Sequence, residues 1–348
     1  MKILVTGGAG YVGSTLVPML LFKGHRVRVL DSLLHDGRSL LGVWAHSGFE
    51  FQLNDVRDRK ALRNAVSQMD AVVHLAAIVG DPACARQPNV AREVNLDASL
   101  ALLQESEAAG VSRFLFASTC SNYGKMSDPE QYVDETSEVR PVSLYAETKV
   151  AVERAMLESN GSMCKTPLRF ATLFGVSPRM RFDLTVNEFT MELLTKKHLV
   201  VFGEQFWRPY VHVRDAARAI DLVLSAAPEK VCSQVFNVGS TGQNYSKKQL
   251  IELVCAYAPD AAVEYVHKDE DPRDYRVSFA RIKEQLDFEP HYTVRDGIRE
   301  IAQLVGTAVI TDFDNPAYYN TARVPQPLRN TPAQVSLRME QTVEGPVV

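Results

Sequence analysis

Thr6-Gly7-Gly8-Ala9-Gly10-Tyr11-Val12-Gly13 stands between an aliphatic run, Ile3–Thr6, and a helical pattern, Tyr11–Lys23. In a strand–turn–helix setting each glycine has a use. Gly7 permits the tight turn, Gly10 lets the backbone approach a pyrophosphate, and Gly13 allows the helix to pack closely on the strand. The helix start, with Tyr11 and Val12, offers free N–H groups and a positive dipole end to phosphate oxygens. Asp31 closes the next strand, Arg26–Leu30. A carboxylate there accepts hydrogen bonds from a ribose diol and repels a 2′-phosphate, so the turn is expected to hold NAD rather than NADP. Asp55-Val56, after a third strand at Phe49–Asn54, is placed to meet the adenine; a simple turn aspartate is the alternative.

Working outward, short β-branched runs alternate with helical patterns through the first half. A helical stretch at Arg59–Gln68 leads to strand Ala71–Leu75, a long helix near Val90–Ala109, strand Arg113–Ala117, a helix carrying Tyr145 and Lys149, and strand Cys164–Phe170. Strands separated by helices of this length imply βαβ units and a doubly wound parallel sheet, an α/β fold of Rossmann type. Beyond Gly175 the alternation breaks into helices near Asp183–Lys197, Asp215–Ala226, Ser246–Ala258 and Val294–Val305. Residues 1–175 are therefore read as a dinucleotide-binding domain and 176–305 as a smaller, partly interleaved α/β substrate-binding domain. Residues 306–348, rich in Pro, Asn and Thr, are read as an arm or tail.

Composition excludes several classes. A hydrophobic fraction of 46% with 23% charged residues is that of a globular chain. A net charge of −4 with no Lys/Arg block gives no footprint for nucleic acid. No apolar run reaches the roughly 20 residues of a membrane span, and Met1 leads straight into a strand. Five dispersed cysteines, without a CxxC pair or a histidine at ligand spacing, argue against a disulfide framework and against structural zinc. The cytoplasm is the expected compartment.

Tyr145-Ala146-Glu147-Thr148-Lys149 puts a phenol and an ammonium one helical turn apart. An ammonium beside a phenol favours phenolate, and a phenolate can take a hydroxyl proton while hydride leaves for a nicotinamide. Together with Thr6–Gly13, the stretches His74-Leu75-Ala76-Ala77 and Ser118–Gly124 make the chain, from Met1 to about Val305, resemble the extended short-chain dehydrogenase/reductases that act on nucleotide sugars. The resemblance implies Tyr145 as catalytic base, Lys149 as its activator and ribose ligand, and Thr119 as the hydroxyl orienting the substrate oxygen. It also implies cofactor contacts from Leu75, Ala76 and Ala77, and a bracing, structural role for Asn95.

Dehydratases of that family carry an Asp-Glu pair directly after the threonine, because eliminating water needs an acid and a base. Here Cys120 and Ser121 stand in those places, so both are expected beside the substrate and dehydration is disfavoured. Relatives with a catalytic cysteine carry it one residue further along, which makes packing the better reading of Cys120. By resemblance, Asn187, Arg208 and Arg273 face the diphosphate of a GDP- or UDP-linked sugar. Arg179, in Ser177–Asp183, resembles members acting on GDP-linked heptoses and is expected to reach the sugar or a phosphate. His212 is read as a packing residue capping the next helix. Three readings follow. The first is an NAD-dependent 4-epimerase or 4-dehydrogenase of a nucleotide sugar, as a homodimer. The second is a decarboxylase, reductase or 3,5-epimerase on the same scaffold. The third is a non-catalytic NAD-binding interaction protein.

Overall fold

The structure, a computed structural model, describes residues 1–126, 128, 131–269, 271 and 273–320. β1 (Lys2–Thr6), α1 (Gly13–Phe22), β2 (Arg26–Asp31), β3 (Phe49–Leu53) and α2 (Arg59–Val66) come first. Next are β4 (Ala71–His74), α3 (Asp81–Arg86), α4 (Pro88–Arg92), a π-helical turn over Glu93–Asp97, and α5 (Ala98–Ala108). β5 (Arg113–Thr119), α6 (Leu144–Glu158), β6 (Cys164–Phe170) and β7 (Thr172–Phe174) lead to α7 (Thr185–Thr195), β8 (His198–Phe202), β9 (Trp207–His212), α8 (Val213–Ser225) and α9 (Pro228–Val231). β10 (Phe236–Val238), β11 (Asn244–Ser246), α10 (Lys247–Cys255), β12 (Ala262–Val266), α11 (Ala280–Leu286) and α12 (Val294–Gly306) complete the order.

Seven strands form one sheet in the order β10-β6-β5-β4-β1-β2-β3, with every pairing parallel. Parallel sheets are covered on both faces, which is why their strands read as continuous apolar runs. In β1, Ile3 and Val5 belong to the core shared with α1 and α8, while Leu4 belongs to the opposite core with α2 and α5. The order reverses between β1 and β4, and a crevice opens there at the carboxyl ends of the strands. β10 comes from beyond residue 175, so the chain returns to the first sheet after β9. The remaining strands form a three-stranded sheet, β11-β9-β7, and a β12-β8 pair. They pack with α7, α10 and α12 around Phe174, Leu193, Tyr210 and Ile298.

Two expectations need correction, and a third lies largely beyond what the structure describes. The long helix near Val90–Ala109 is divided by the π-helical turn; the inserted residue aims Asn95 at the backbone N–H and C=O of Ile78 (2.8 and 2.9 Å). Cys164 and Cys232, 68 residues apart, form a disulfide, because β6 starts where the chain leaving α9 turns towards β10. The arm or tail at 306–348 lies, past residue 320, outside the described residues.

Beneath the carboxyl end of β5 a buried polar network joins α6, β6 and β10. Arg169 donates to both carboxylate oxygens of Glu153 (2.7 and 3.0 Å from Oε2) and to the Tyr123 hydroxyl (3.0 Å). Tyr123 donates to Asn237 on β10, and Asn122 and Ser118 donate to Glu153. A paired buried charge becomes costly once its partner is removed. Glu153→Ala, which strands the Arg169 guanidinium, is expected to lower unfolding free energy by about 3–5 kcal/mol. Denaturant melts showing a loss under about 1 kcal/mol would contradict this reading.

Candidate active site

A cavity of about 760 Å³ opens at the β1/β4 crevice and runs on between the sheet and the 176–305 segment. Its cofactor end is the glycine turn. Gly7 has φ +73°, and a Cβ there would lie 2.7 Å from the Ala76 nitrogen. A Cβ on Gly13 would lie 2.4 Å from the Gly7 carbonyl oxygen. Both glycines therefore hold the turn shut at distances no other residue allows, leaving the start of α1 open to phosphate. Asp31 lines this end, accepting from the N–H groups of Ala9 (3.0 Å) and Leu33 (2.8 Å). Burial raises the pKa of its carboxyl, against those N–H bonds and the charge of Arg179. Asp55 and Val56 also line it; the Asp55 carboxylate is gripped by the Arg57 guanidinium at 3.0 and 2.7 Å. Leu75, Ala76 and Ala77 line the same end, as do Gly10, Tyr11 and Val12. These residues fit a dinucleotide: a phosphate cradle at the start of α1, then a carboxylate at the end of β2 suited to a ribose diol.

Thr119, Ser121, Tyr145 and Lys149 meet midway along the cavity. Ser143 caps α6 by accepting from the Ala146 N–H (3.3 Å), which fixes the first turn carrying Tyr145. Thr119, at the end of β5, caps the turn over Cys120–Tyr123 by accepting from the Ser121 N–H (3.1 Å). Lys149 Nζ donates to the Ala117 carbonyl (2.8 Å) and lies 4.5 Å above the Phe116 ring and 5.8 Å from the Tyr145 ring centre. Burial pushes the ammonium down to about 8, with Cys84 and Glu153 opposing it. The expected depression of Tyr145 is not what this site shows. Burial raises the phenol well above its usual value, Cys84 and Asp81 add to the rise, and Arg181 opposes it.

Other expectations divide. Cys120 is buried with its thiol towards the Arg169 carbonyl (3.2 Å), and burial raises its pKa, so it packs instead of facing the cavity. Asn187 is fully buried, accepting from the Gly175 N–H (2.9 Å) and donating to the Arg181 carbonyl (2.8 Å), and is not among the residues of the cavity wall. The next residue, Glu188, lines the cavity instead, with its carboxyl pushed up to about 7 by burial, then by Glu192 and Asp183. Arg208 and Arg273 both line the cavity and both lean on Asp271, at 2.8 and 3.6 Å, while Arg273 also reaches Asp81 at 2.9 Å. Arg179 lines the cavity with its charge acting on Asp31 and Asp183, which puts it near the cofactor end. His212 caps α8, as expected, accepting from the Arg214 N–H (3.1 Å). Asp81, Lys247 and Tyr275 also line the cavity and belong to no motif read from the sequence.

Residues 3–239 match the model of the NAD dependent epimerase/dehydratase family. The chain belongs to that family. It is similar to the UDP-glucose 4-epimerase of Corynebacterium glutamicum, 28% identical over 84% of this chain and 92% of that one. The UDP-glucose 4-epimerase of Halalkalibacterium halodurans is 30% identical over 84% of this chain and 91% of its own length. Among solved structures, the Thermus thermophilus UDP-glucose 4-epimerase complex with NAD superposes with a TM-score of 0.77 at 27% identity, covering 89% of this chain and all (100%) of that one. The family member described here is an NAD-dependent enzyme. Among the described residues no helix is long and apolar enough to cross a membrane.

Removing the buried ammonium separates stability from function. With its pKa held near 8 in the fold and about 10.4 free, Lys149 disfavours folding below pH 8, and the penalty fades as pH rises towards 10.4. Lys149→Met is expected to be about 1–3 kcal/mol more stable than the parent at pH 7, nearly equal at pH 10.5, and inactive. A variant less stable than the parent at pH 7 would contradict this.

Proposed function

We propose that this enzyme interconverts the C4 epimers of a UDP-linked hexose, without loss of water. One observation carries the reading: Thr119, Tyr145 and Lys149 converge in the cavity while Cys120 turns away and a serine takes the neighbouring position. Oxidation needs a proton acceptor for the sugar hydroxyl and a hydride acceptor for its carbon. Bound NAD supplies the hydride acceptor and a positively charged nicotinamide ring. The ammonium of Lys149 and the positive charge that bound NAD would bring offset the burial that raises Tyr145, so that its phenolate would receive the hydroxyl proton while Thr119 orients the oxygen. Arg208 and Arg273 keep the diphosphate while the 4-keto sugar turns its other face for hydride return. UDP is favoured over GDP because the similar epimerases are named for UDP-glucose.

We further infer a homodimer through α5 and α6. Leu100 and Ala101 are half-buried and Leu157 is 40% exposed on these helices. Light scattering should give the mass of a dimer, and monomer alone at micromolar concentration would contradict the inference.

The reaction is tested with UDP-glucose and UDP-galactose. Each should yield the other at unchanged mass, and Cys120→Ala should leave the rate within about threefold, since a buried thiol that only packs is replaceable. A product lighter by one water would overturn the reading. Tyr145→Phe is expected to lower turnover by about two to four orders of magnitude with NAD still bound.

A further inference from the structure

The chain leaving α12 turns back on the fold. Ile310, Phe313, Tyr318 and Tyr319 pack on Met180, Phe182, Met191 and Ile301. The rings of Phe313 and Tyr318 meet the buried Phe182 ring edge-on, at 5.4 and 5.5 Å. Asn315 sets the bend by accepting from the Ala317 N–H (3.0 Å), which caps a single turn of 3₁₀ helix over Pro316–Tyr318. The Tyr319 hydroxyl closes the loop on itself, donating to the Phe313 carbonyl (2.8 Å). Aromatic rings bury much area and prefer such edge-on contacts, so they anchor a segment that has little regular structure of its own.

The anchored segment ends at the mouth of the cavity. The Phe182 N–H donates to the Tyr318 carbonyl (3.0 Å). The Asn320 N–H donates to Asp183 (2.9 Å), the carboxylate that holds the Arg181 guanidinium at 2.8 and 3.0 Å. Arg181, Asp183 and Asn320 all line the cavity. Across the mouth, Leu34, His35 and Asp36 of the loop after β2 line the cofactor end, and Tyr318 is close enough to Arg38 for their charges to act on each other. Residues 318–320 therefore pass over the gap between that loop and the start of α7. The Asn320 Oδ1 is buried and accepts no hydrogen bond from the described residues. On a cavity wall such an oxygen is an acceptor held ready for a ligand hydroxyl. Two backbone bonds and a few ring contacts make a small unit, of the kind that opens locally without global unfolding.

We propose that residues 310–320 form a strap that retains bound NAD, closing over the cofactor end of the cavity and lifting from Phe182 and Asp183 before the dinucleotide leaves. Closed, the strap holds the cofactor; by linkage, the cofactor stabilises the closed strap by the same factor. NAD leaves from the open form, so its release follows the open fraction. The strap acts on the cofactor end whichever sugar the other end takes.

Full-length enzyme loaded with radiolabelled NAD and chased with excess unlabelled NAD gives the release rate. Phe313→Ala and Tyr318→Ala each strip a ring from Phe182 and should speed release about tenfold, the scale of one lost aromatic contact. Tyr318→Phe keeps the ring and should stay within about twofold of the parent. Hydrogen exchange reads the strap in the parent chain without any substitution. Saturating NAD should slow exchange of the Phe182 and Asn320 N–H groups about tenfold more than that of Ala226, which bonds Leu222 at the end of α8, outside the cavity wall. Three results overturn the proposal: release by both alanine variants within about twofold of the parent, release by Tyr318→Phe as fast as by Tyr318→Ala, or equal slowing at all three amides. Absence of epimerisation by the parent enzyme would overturn the proposed reaction and leave the strap standing.

Discussion

The burial of one ammonium governs this molecule. Lys149 sits where α6 crosses the carboxyl end of the sheet, with its charge removed from water and answered by the Ala117 carbonyl, the Phe116 face, Cys84 and, behind them, Glu153. Desolvating a charge costs several kcal/mol unless other groups compensate. The carboxylate that opposes this burial, Glu153 one turn along the same helix, belongs to the network that defines the architecture: Arg169 on β6 holds it, and Arg169 reaches Asn237 on β10 through Tyr123. The return of the chain to the first sheet after β9 is thus tied to the charge at the reaction centre.

A second constraint joins the halves. The Tyr11 hydroxyl donates to the Gly175 carbonyl (2.6 Å), and Ser177 donates to the Tyr11 carbonyl (2.7 Å) and meets Ser14 (3.0 Å). The turn that would cradle the cofactor is therefore sewn to the start of the segment that would bind the sugar. Arg179, whose N–H bonds Ser14 (3.2 Å), is drawn to the cofactor end by the same seam. Asn187 is consumed in it, holding Gly175, Arg181 and the Tyr11 hydroxyl together.

What the sequence showed was local chemistry. Glycine spacing, the Tyr145/Lys149 turn and the strand–helix alternation all depend on neighbours within a few residues, and the first sheet follows from them through β6. Asn187 shows the limit: one residue's rotation at the start of α7 decides whether an asparagine or Glu188 faces the cavity, and no motif encodes that. The Cys164–Cys232 bond and the wall formed by Tyr275 depend on segments brought together across the fold. β7, β10 and β11 are three-residue strands with no period to detect, and the π-helical turn at Asn95 has no pattern distinct from the helix around it.

Whether hydride passes between this cavity's cofactor and the sugar's C4 is the question on which the rest hangs. A single turnover of NAD-loaded enzyme with UDP-glucose carrying deuterium at C4, followed by the reduced nicotinamide's absorbance, answers it. The account requires a transient rise in that signal, slowed by deuterium relative to the unlabelled sugar, with deuterium retained at C4 of the product. No reduced cofactor, or deuterium lost to solvent, would contradict it.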